Sequence, residues 1–65
     1  MKFREVTRLI EQDGWRLQRQ GGSHRQYRHP TKAGTVTIAG KPGDDVPIGT
    51  LKNIFRQAGL EGPDA

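Results

Sequence analysis

The sequence predicts an α+β domain of two layers, in which two helices cover one face of a three-stranded antiparallel sheet. Apolar residues recur at helical spacing near each end of the chain, in residues 3–13 and again after Pro47. Between them, three short segments favour strands and are separated by turn residues. Short turns make the strands an antiparallel meander, and two amphipathic helices need one sheet face to cover. We expect residues 1–65 to form a single domain.

The first helix is predicted by Phe3, Val6, Leu9 and Ile10, which fall on one face at helical spacing. Gly14 follows the pattern, and glycine is a good helix terminator. This helix should bury its apolar face against the sheet.

Three strands are expected in the middle of the chain. Apolar and polar side chains alternate in residues 15–20, as in a half-buried strand. The pair Gly21-Gly22 makes a tight turn into residues 23–29, which are polar except for Tyr27. Residues 35–39 are rich in β-branched side chains and give the clearest strand pattern.

The second helix is predicted after the loop of residues 40–46, with Pro47 suited to its first turn. Its apolar stripe comprises Ile48, Leu51, Ile54, Phe55 and Ala58. Asp44 and Asp45 precede it, where a helix dipole favours negative charge. Gly59 closes the helix, and residues 61–65 are expected to be a frayed tail.

Alternation along the strands assigns the two faces of the sheet. Five apolar side chains should face the helices, with Arg25 and His29 on the same side: Trp15, Leu17, Tyr27, Val36 and Ile38. The opposite face should collect only polar side chains: Arg16, Gln18, Gln20, His24, Gln26, Arg28, Thr35 and Thr37. Arginine forks match phosphate geometry, so this face is a candidate nucleic-acid surface. The alternative is an ordinary solvated sheet face.

The charge distribution favours a polyanionic partner. The net charge is +4, and no Asp or Glu occurs from Gly14 to Gly43. A block of one sign on a small domain attracts nucleic acid, although a basic surface without a partner gives the same pattern. The chain has no cysteine, which fits a cytoplasmic protein, and no apolar run long enough to cross a bilayer. We therefore expect no membrane association.

Three stretches of the chain resemble the HicA family of toxins. Residues 21–27, Gly-Gly-Ser-His-Arg-Gln-Tyr, resemble the family's Gly-Ser-His-x-x-Tyr/Phe signature. Residues 11–15 are similar to the end of its first helix, followed by Gly and an aromatic residue, and residues 47–60 are similar to its final helix. The resemblance covers nearly the whole chain, and the ordered set of three is more specific than any one of them.

The resemblance implies a fold like the double-stranded-RNA-binding domain, cleavage of messenger RNA and neutralisation by a HicB antitoxin. It also implies an essential histidine, which in this chain is His24. Many members carry a second histidine just after the third strand, where this chain has Ala39-Gly40-Lys41. A mechanism that depends on two histidines would need Lys41 to supply the second charge.

The expected chemistry is metal-independent cleavage of RNA, with His24 as general acid/base, because RNA carries its own nucleophile, the 2′-OH. The expected RNA contacts are Arg16, Gly22, Ser23, Gln26, Arg28 and Lys41. His29 precedes Pro30 on the other side of the sheet and should be structural, so two histidines cannot share a metal ion. We expect no cofactor. The alternatives are an RNA-binding module that does not cut, which has no need of His24, and a domain that only docks a protein.

Overall fold

The computed structural model describes residues 1–61 and has the predicted order of elements. These are α1 (Phe3–Gln12), β1 (Arg16–Gly21), β2 (His24–Arg28), β3 (Val36–Ala39) and α2 (Ile48–Ala58). The strands form one antiparallel sheet in the order β1-β2-β3, so the α+β prediction is confirmed. Of the tail expected at 61–65, residues 62–65 lie outside the described residues. No helix within residues 1–61 has the length and apolar character needed to span a membrane.

One apolar core joins both helices to one face of the sheet. Its buried members are Phe3, Val6, Ile10, Trp15, Tyr27, Val36, Ile38, Val46, Leu51, Ile54, Phe55 and Ala58. Each large side chain of this set contributes roughly 1.5–3 kcal/mol by leaving water. Burial raises the pKa of the Tyr27 phenol above its usual value, because the core disfavours the phenolate.

The N-terminus of α1 is held by the loop that follows β3. The Phe3 amide donates to the Asp44 carbonyl (3.0 Å), and the Arg4 amide donates to the Pro42 carbonyl (3.1 Å). The carboxylate of Asp45 pairs with Lys2 Nζ at 3.2 Å. Asp44 and Asp45 were expected to interact with the dipole of the second helix. The hydrogen bond and ion pair described here join them to the start of α1 instead. The N-terminus of α2 has no side-chain cap.

The C-terminus of α2 ends in a Schellman motif. Gly59 has the left-handed φ of +69° that glycine adopts without strain. The Leu60 amide bonds the Phe55 carbonyl and the Gly59 amide bonds the Arg56 carbonyl, as this motif requires. The Ala58 carbonyl is left for two side chains, accepting from Trp15 Nε1 at 3.2 Å and from Lys32 Nζ at 3.1 Å. The end of the last helix is thereby bonded to the start of the sheet.

His29 connects this corner to the turn after β2. Its Nε2 lies 2.7 Å from the Asp13 carbonyl, and its Nδ1 accepts from the amides of Thr31 and Lys32, both at 3.1 Å. The acceptor role of Nδ1 assigns the ring proton to Nε2. The ring also meets Trp15 edge-on, with centroids 5.2 Å apart. A Cβ on Gly14 would lie 2.8 Å from His29 Nε2, so glycine is needed there for more than ending a helix.

Asp13 completes the corner through its side chain. Lys32 Nζ lies 2.6 Å from Asp13 Oδ2. This hydrogen bond, more than any other contact, lowers the pKa of the Asp13 carboxyl from its usual value. The stabilisation is therefore present above the ordinary aspartate pKa and is lost as the pH falls through the lower value of the folded state.

Three apolar side chains predicted to be in the core are exposed. Leu17 shares the helix-facing side with its partner Tyr27 but lies on the edge strand β1, and it is 48% exposed. Leu9 flanks the buried stripe of α1, where Thr7 is buried instead, and it is 38% exposed. Ile48 is the first residue of α2 and is 62% exposed, because the helix reaches the core one turn later, at Leu51.

A β-bulge at Gln18 changes the predicted faces of β1. Leu17 pairs with Tyr27, but the next pair is Arg19 with Gln26, followed by Gln20 with Arg25. Paired residues share a face, so Gln20 lies on the helix-facing side, and the prediction for Gln20 is wrong. Arg19 takes its place on the outer face, beside Gln26.

Replacing Trp15 by Phe should lower the free energy of unfolding by about 1–3 kcal/mol, because the Ala58 carbonyl loses a buried donor while most of the ring packing remains. Urea unfolding followed by circular dichroism measures this. An exposed control, Arg8→Ala, should change stability by less than about 0.5 kcal/mol. A Trp15→Phe variant as stable as the parent would show that the indole bond contributes nothing.

Candidate nucleic-acid interface

The face of the sheet away from the helices, called here the open face, is entirely polar on β1 and β2. On β2, His24, Gln26 and Arg28 are exposed and alternate with Arg25, which is partly buried, and Tyr27, which is buried. The other open-face residues are Arg16, Gln18, Arg19 and Thr37. The expectation that His24, Gln26 and Arg28 lie away from both helices is therefore met.

His24 stands at the start of β2 with small neighbours on both sides. Its cross-strand partners are Gly21 on β1 and Ala39 on β3. Paired residues share a face, so a hydrogen atom and a methyl group flank the imidazole. A reacting group can approach the ring with little steric hindrance from the sheet.

The turn between β1 and β2 is as short as a hairpin allows. Gly21 pairs with His24, which leaves Gly22 and Ser23 as the two loop residues. Gly22 has φ +59°, and primed hairpin turns need positive φ at this first loop position. No atom lies within 4 Å of a Cβ built on Gly22, so the turn is open to solvent. Gly22 allows the backbone conformation that the turn needs, and its lack of a side chain leaves room for a ligand beside His24.

Arg19 is the guanidinium on β1 nearest to His24 in the register. Gly21 is the direct partner of His24, and Arg19 lies two residues before it on the same face. Diagonal neighbours of this kind are separated by about 7–8 Å, within reach of a long side chain. Strict alternation along β1 would place Arg19 on the helix-facing side, and nothing in residues 16–21 signals the bulge that moves it.

Arg16 and Arg28 form a second basic group on the open face. They are direct cross-strand partners, and they line a shallow depression of about 420 Å³ with Gln18, His29 and Pro30. Two like charges in this arrangement destabilise a sheet unless an anion lies between them. Arg28 is four residues from His24 along β2, which separates their Cα atoms by about 13 Å. The two groups would contact different parts of a bound strand.

Three arginine side chains on the open face have no partner among the described residues. The side chains of Arg16, Arg19 and Arg28 form no ion pair and no hydrogen bond within residues 1–61, in contrast to those of Lys2 and Lys32, which pair with acids. The gap in acidic residues from Gly14 to Gly43 thus corresponds to a face whose guanidiniums are free to bind an external anion.

Three of the predicted RNA contacts lie around the ends of the strands. Gly22 and Ser23 in the hairpin turn and Lys41 after β3 line a cleft of about 260 Å³. Arg25 and Gln20, which face the helices, also line this cleft. The structure therefore divides the predicted residues between the open face and this second cleft, with His24 on the β-strand that borders both.

The second histidine, His29, contributes only to the rim of the depression beside Arg16 and Arg28, and it does not line the cleft. The His29 side chain is 8% exposed, and both ring nitrogens are engaged. His29 is a structural residue, as expected. Within residues 1–61 no group of three or more His, Cys, Asp or Glu side chains is placed to hold a metal ion.

Comparison with known families assigns the chain to a protein family. The family model for the HicA toxin of bacterial toxin–antitoxin systems matches residues 3–60, nearly the whole chain. The chain belongs to the HicA toxin family. Among solved structures, one described as the HicA3 and HicB3 toxin–antitoxin complex is similar, with a TM-score of 0.77 and 25% identity. That match covers 94% of this chain and 97% of the other. No curated protein matches this chain significantly.

Within this HicA-family toxin, the family's glycine-serine-histidine signature falls on the hairpin turn and the first residue of β2. The aromatic residue of the signature, Tyr27, is buried against the helices. The signature therefore joins a turn that exposes His24 to an aromatic side chain that fixes the face of the strand.

The two histidines should differ in their effect on stability. His29→Ala removes the four hydrogen bonds of the ring and an aromatic contact, and should lower the free energy of unfolding by about 2 kcal/mol or more. His24→Ala removes an exposed ring and should change it by less than about 0.5 kcal/mol. Thermal unfolding of both variants at the same pH measures the difference. Equal losses would contradict the assignment of the exposed and structural histidines.

Proposed function

We propose that the chain is a metal-independent endoribonuclease toxin that cleaves messenger RNA, with His24 as its general acid/base. The observation that carries this proposal is the position of His24, exposed between Gly21 and Ala39 on a face whose arginines are unpaired. Membership of the HicA family supports the same reaction class.

The reaction needs little from the protein. The ribose 2′-oxygen attacks the adjacent phosphorus as its proton is removed, and the bond to the 5′-oxygen breaks as that oxygen is protonated. The products are a 2′,3′-cyclic phosphate and a 5′-hydroxyl. Imidazole suits both proton transfers, since its unperturbed pKa lies near neutral pH. His24 would accept the first proton, donate the second, or do both in turn.

Arg19 is the residue we assign to the developing negative charge. A guanidinium at a diagonal position to His24 can reach a phosphorane that the imidazole also contacts. Gln26, the cross-strand partner of Arg19, neighbours His24 on the open face and can bond a ribose or base edge. The Arg16–Arg28 pair, about 13 Å along the sheet, would hold a phosphate further along the RNA.

We also propose that a HicB-type antitoxin neutralises this toxin by covering the open face. The similar solved structure is a HicA–HicB complex, which supports such a partner. A protein seated on unpaired guanidiniums must place Asp or Glu opposite them, because buried unpaired charge is costly. Masking of His24 would then follow from the same contacts that give affinity.

The runner-up is a module that binds RNA without cutting it. The basic open face alone would support that function, since phosphate contacts supply most of the affinity for a polyanion. An unhindered imidazole is not required for binding, and this is why we favour the enzyme.

His24→Ala should separate the two functions. Cleavage of a single-stranded RNA should fall by roughly 10²–10⁴-fold, the usual contribution of a general acid/base group, and growth inhibition should be lost. RNA affinity and its salt dependence should stay near the parent's, because all basic residues remain. His24→Gln, which keeps a polar side chain without the imidazole, should be equally inactive. If His24→Ala still cuts RNA and arrests growth, the proposed mechanism is wrong.

Arg19→Gln and Arg28→Gln are a matched pair on the same face. Arg19→Gln should lower the cleavage rate at saturating RNA, because its charge acts on the transition state. Arg28→Gln should mainly weaken RNA binding, because a remote phosphate contact acts equally in the ground state. Single-turnover kinetics over a range of RNA concentrations distinguishes the two effects. The reverse pattern would place the cleaved phosphate at Arg28.

A further inference from the structure

We propose a second phosphate-binding site in the cleft at the strand ends, where Arg25 and Lys41 bind a phosphodiester adjacent to the one cleaved at His24. This site lies on the helix-facing side of the sheet. The inference rests on the proposed function for the identity of the polymer, and on the cleft itself for the anion.

The cleft opens between the β1–β2 turn and the loop after β3. Its lining includes Gly22 and Ser23 on one side, Gly40 and Lys41 on the other, and Arg25 between them. Its volume of about 260 Å³ is several times the roughly 30 Å³ that one water molecule occupies in the liquid. A phosphate group with part of its hydration shell fits this space.

Arg25 is the residue that points to an anion. Its Nη2 is buried and finds no hydrogen-bond partner within residues 1–61, and no ion pair joins its side chain to that part of the chain. A buried charged donor without an acceptor costs free energy. Arg25 also lines the cleft, so an anion bound there would lie beside the guanidinium and compensate its charge.

The cleft is formed before any ligand binds. The Gly40 amide bonds the Ser23 carbonyl at 3.4 Å and joins its two sides. A Cβ on Gly40 would collide with the Phe3 ring, so this part of the loop is packed against α1. Beyond it, the Pro42 carbonyl accepts from the Arg4 amide at 3.1 Å. A ligand would therefore not have to order the loop, which favours affinity.

The position of the cleft favours an RNA phosphate. His24 and Arg25 are consecutive in β2 and point to opposite sides of the sheet. Around them the hairpin turn is free of large side chains, and no atom lies within 4 Å of a Cβ built on Gly21 or Gly22. An RNA strand that passes over this turn can place one phosphate at His24 and a neighbouring one in the cleft. A protein carboxylate is the competing occupant.

The first experiment titrates the folded protein with inorganic phosphate at constant ionic strength, followed by amide NMR signals. Saturable shifts are expected at Gly22, Ser23, Arg25 and Lys41. Arg25→Gln and Lys41→Gln should each weaken this binding by about tenfold, the effect of losing one charged hydrogen bond. Arg16→Gln, which removes the same charge from the open face, should leave the cleft shifts unchanged. Phosphate shifts confined to the open face, or absent, would overturn the proposal.

The second experiment identifies the source of the anion. A short single-stranded RNA added to the His24→Ala variant should shift the same cleft signals, and Arg25→Gln in that background should weaken RNA binding. Acetate at the same concentrations should bind less well than phosphate. If acetate fills the cleft as well as phosphate and RNA does not perturb it, the occupant is a protein carboxylate and the proposal fails.

Stability checks keep the variants interpretable. Lys41 is exposed, so Lys41→Gln should fold like the parent even if Arg25→Gln proves less stable. The two proposals also fail separately. Cutting by His24→Ala together with phosphate in the cleft would refute only the mechanism. A dead His24→Ala together with an empty cleft would refute only the second site.

Discussion

The hydrogen bond from the Trp15 indole to the Ala58 carbonyl joins the two ends of this small domain. It connects the residue just before β1 to the last residue of α2. Asp13, His29 and Lys32 gather around the same point, so the end of α1, the turn after β2 and the end of α2 meet in one corner. In a chain of 65 residues the apolar core is thin, and a few buried polar bonds decide the relative positions of its elements.

The same corner determines which cations are left for function. Lys32 is held by Asp13 and by the Ala58 carbonyl, and Lys2 is held by Asp45 at the other end of the domain. Those acids lie outside the stretch from Gly14 to Gly43, which forms all three strands. The sheet therefore keeps guanidiniums that have no partner within residues 1–61. Their mutual repulsion is a cost to stability that an external polyanion relieves.

Much of the fold follows from periodicity in the sequence. Both helices and the first and third strands are predictable from the spacing and type of their side chains. The second strand is bounded by turn residues, and Tyr27 alone fixes its faces. Edge effects are harder to predict. Leu17 has the right parity for the core, but it lies on an edge strand where its side chain stays half exposed, and that depends on tertiary packing.

The candidate site was predictable to the extent that it depends on β2. His24, Gln26 and Arg28 have the expected face because β2 is regular, whereas the bulge at Gln18 exchanged Arg19 for Gln20. A bulge is a property of the pairing between two strands, and its residues here carry no glycine that would mark it. The contacts of Asp44 and Asp45 with the start of α1 were not predicted, because the contact between the chain start and this loop is not local.

The hairpin turn also explains why one short signature can serve both faces. Side chains alternate along a strand, so consecutive residues after a tight turn point to opposite sides of the sheet. His24 lies on the open face and Arg25 lines the cleft. Gly21 and Gly22 have no side chains that would project from the turn between these two surfaces. A bulky residue at either glycine would separate the two sides for any polymer. The proposed second site would require glycine at Gly21 for the passage of the RNA strand, whereas Gly22 is also favoured by its positive φ.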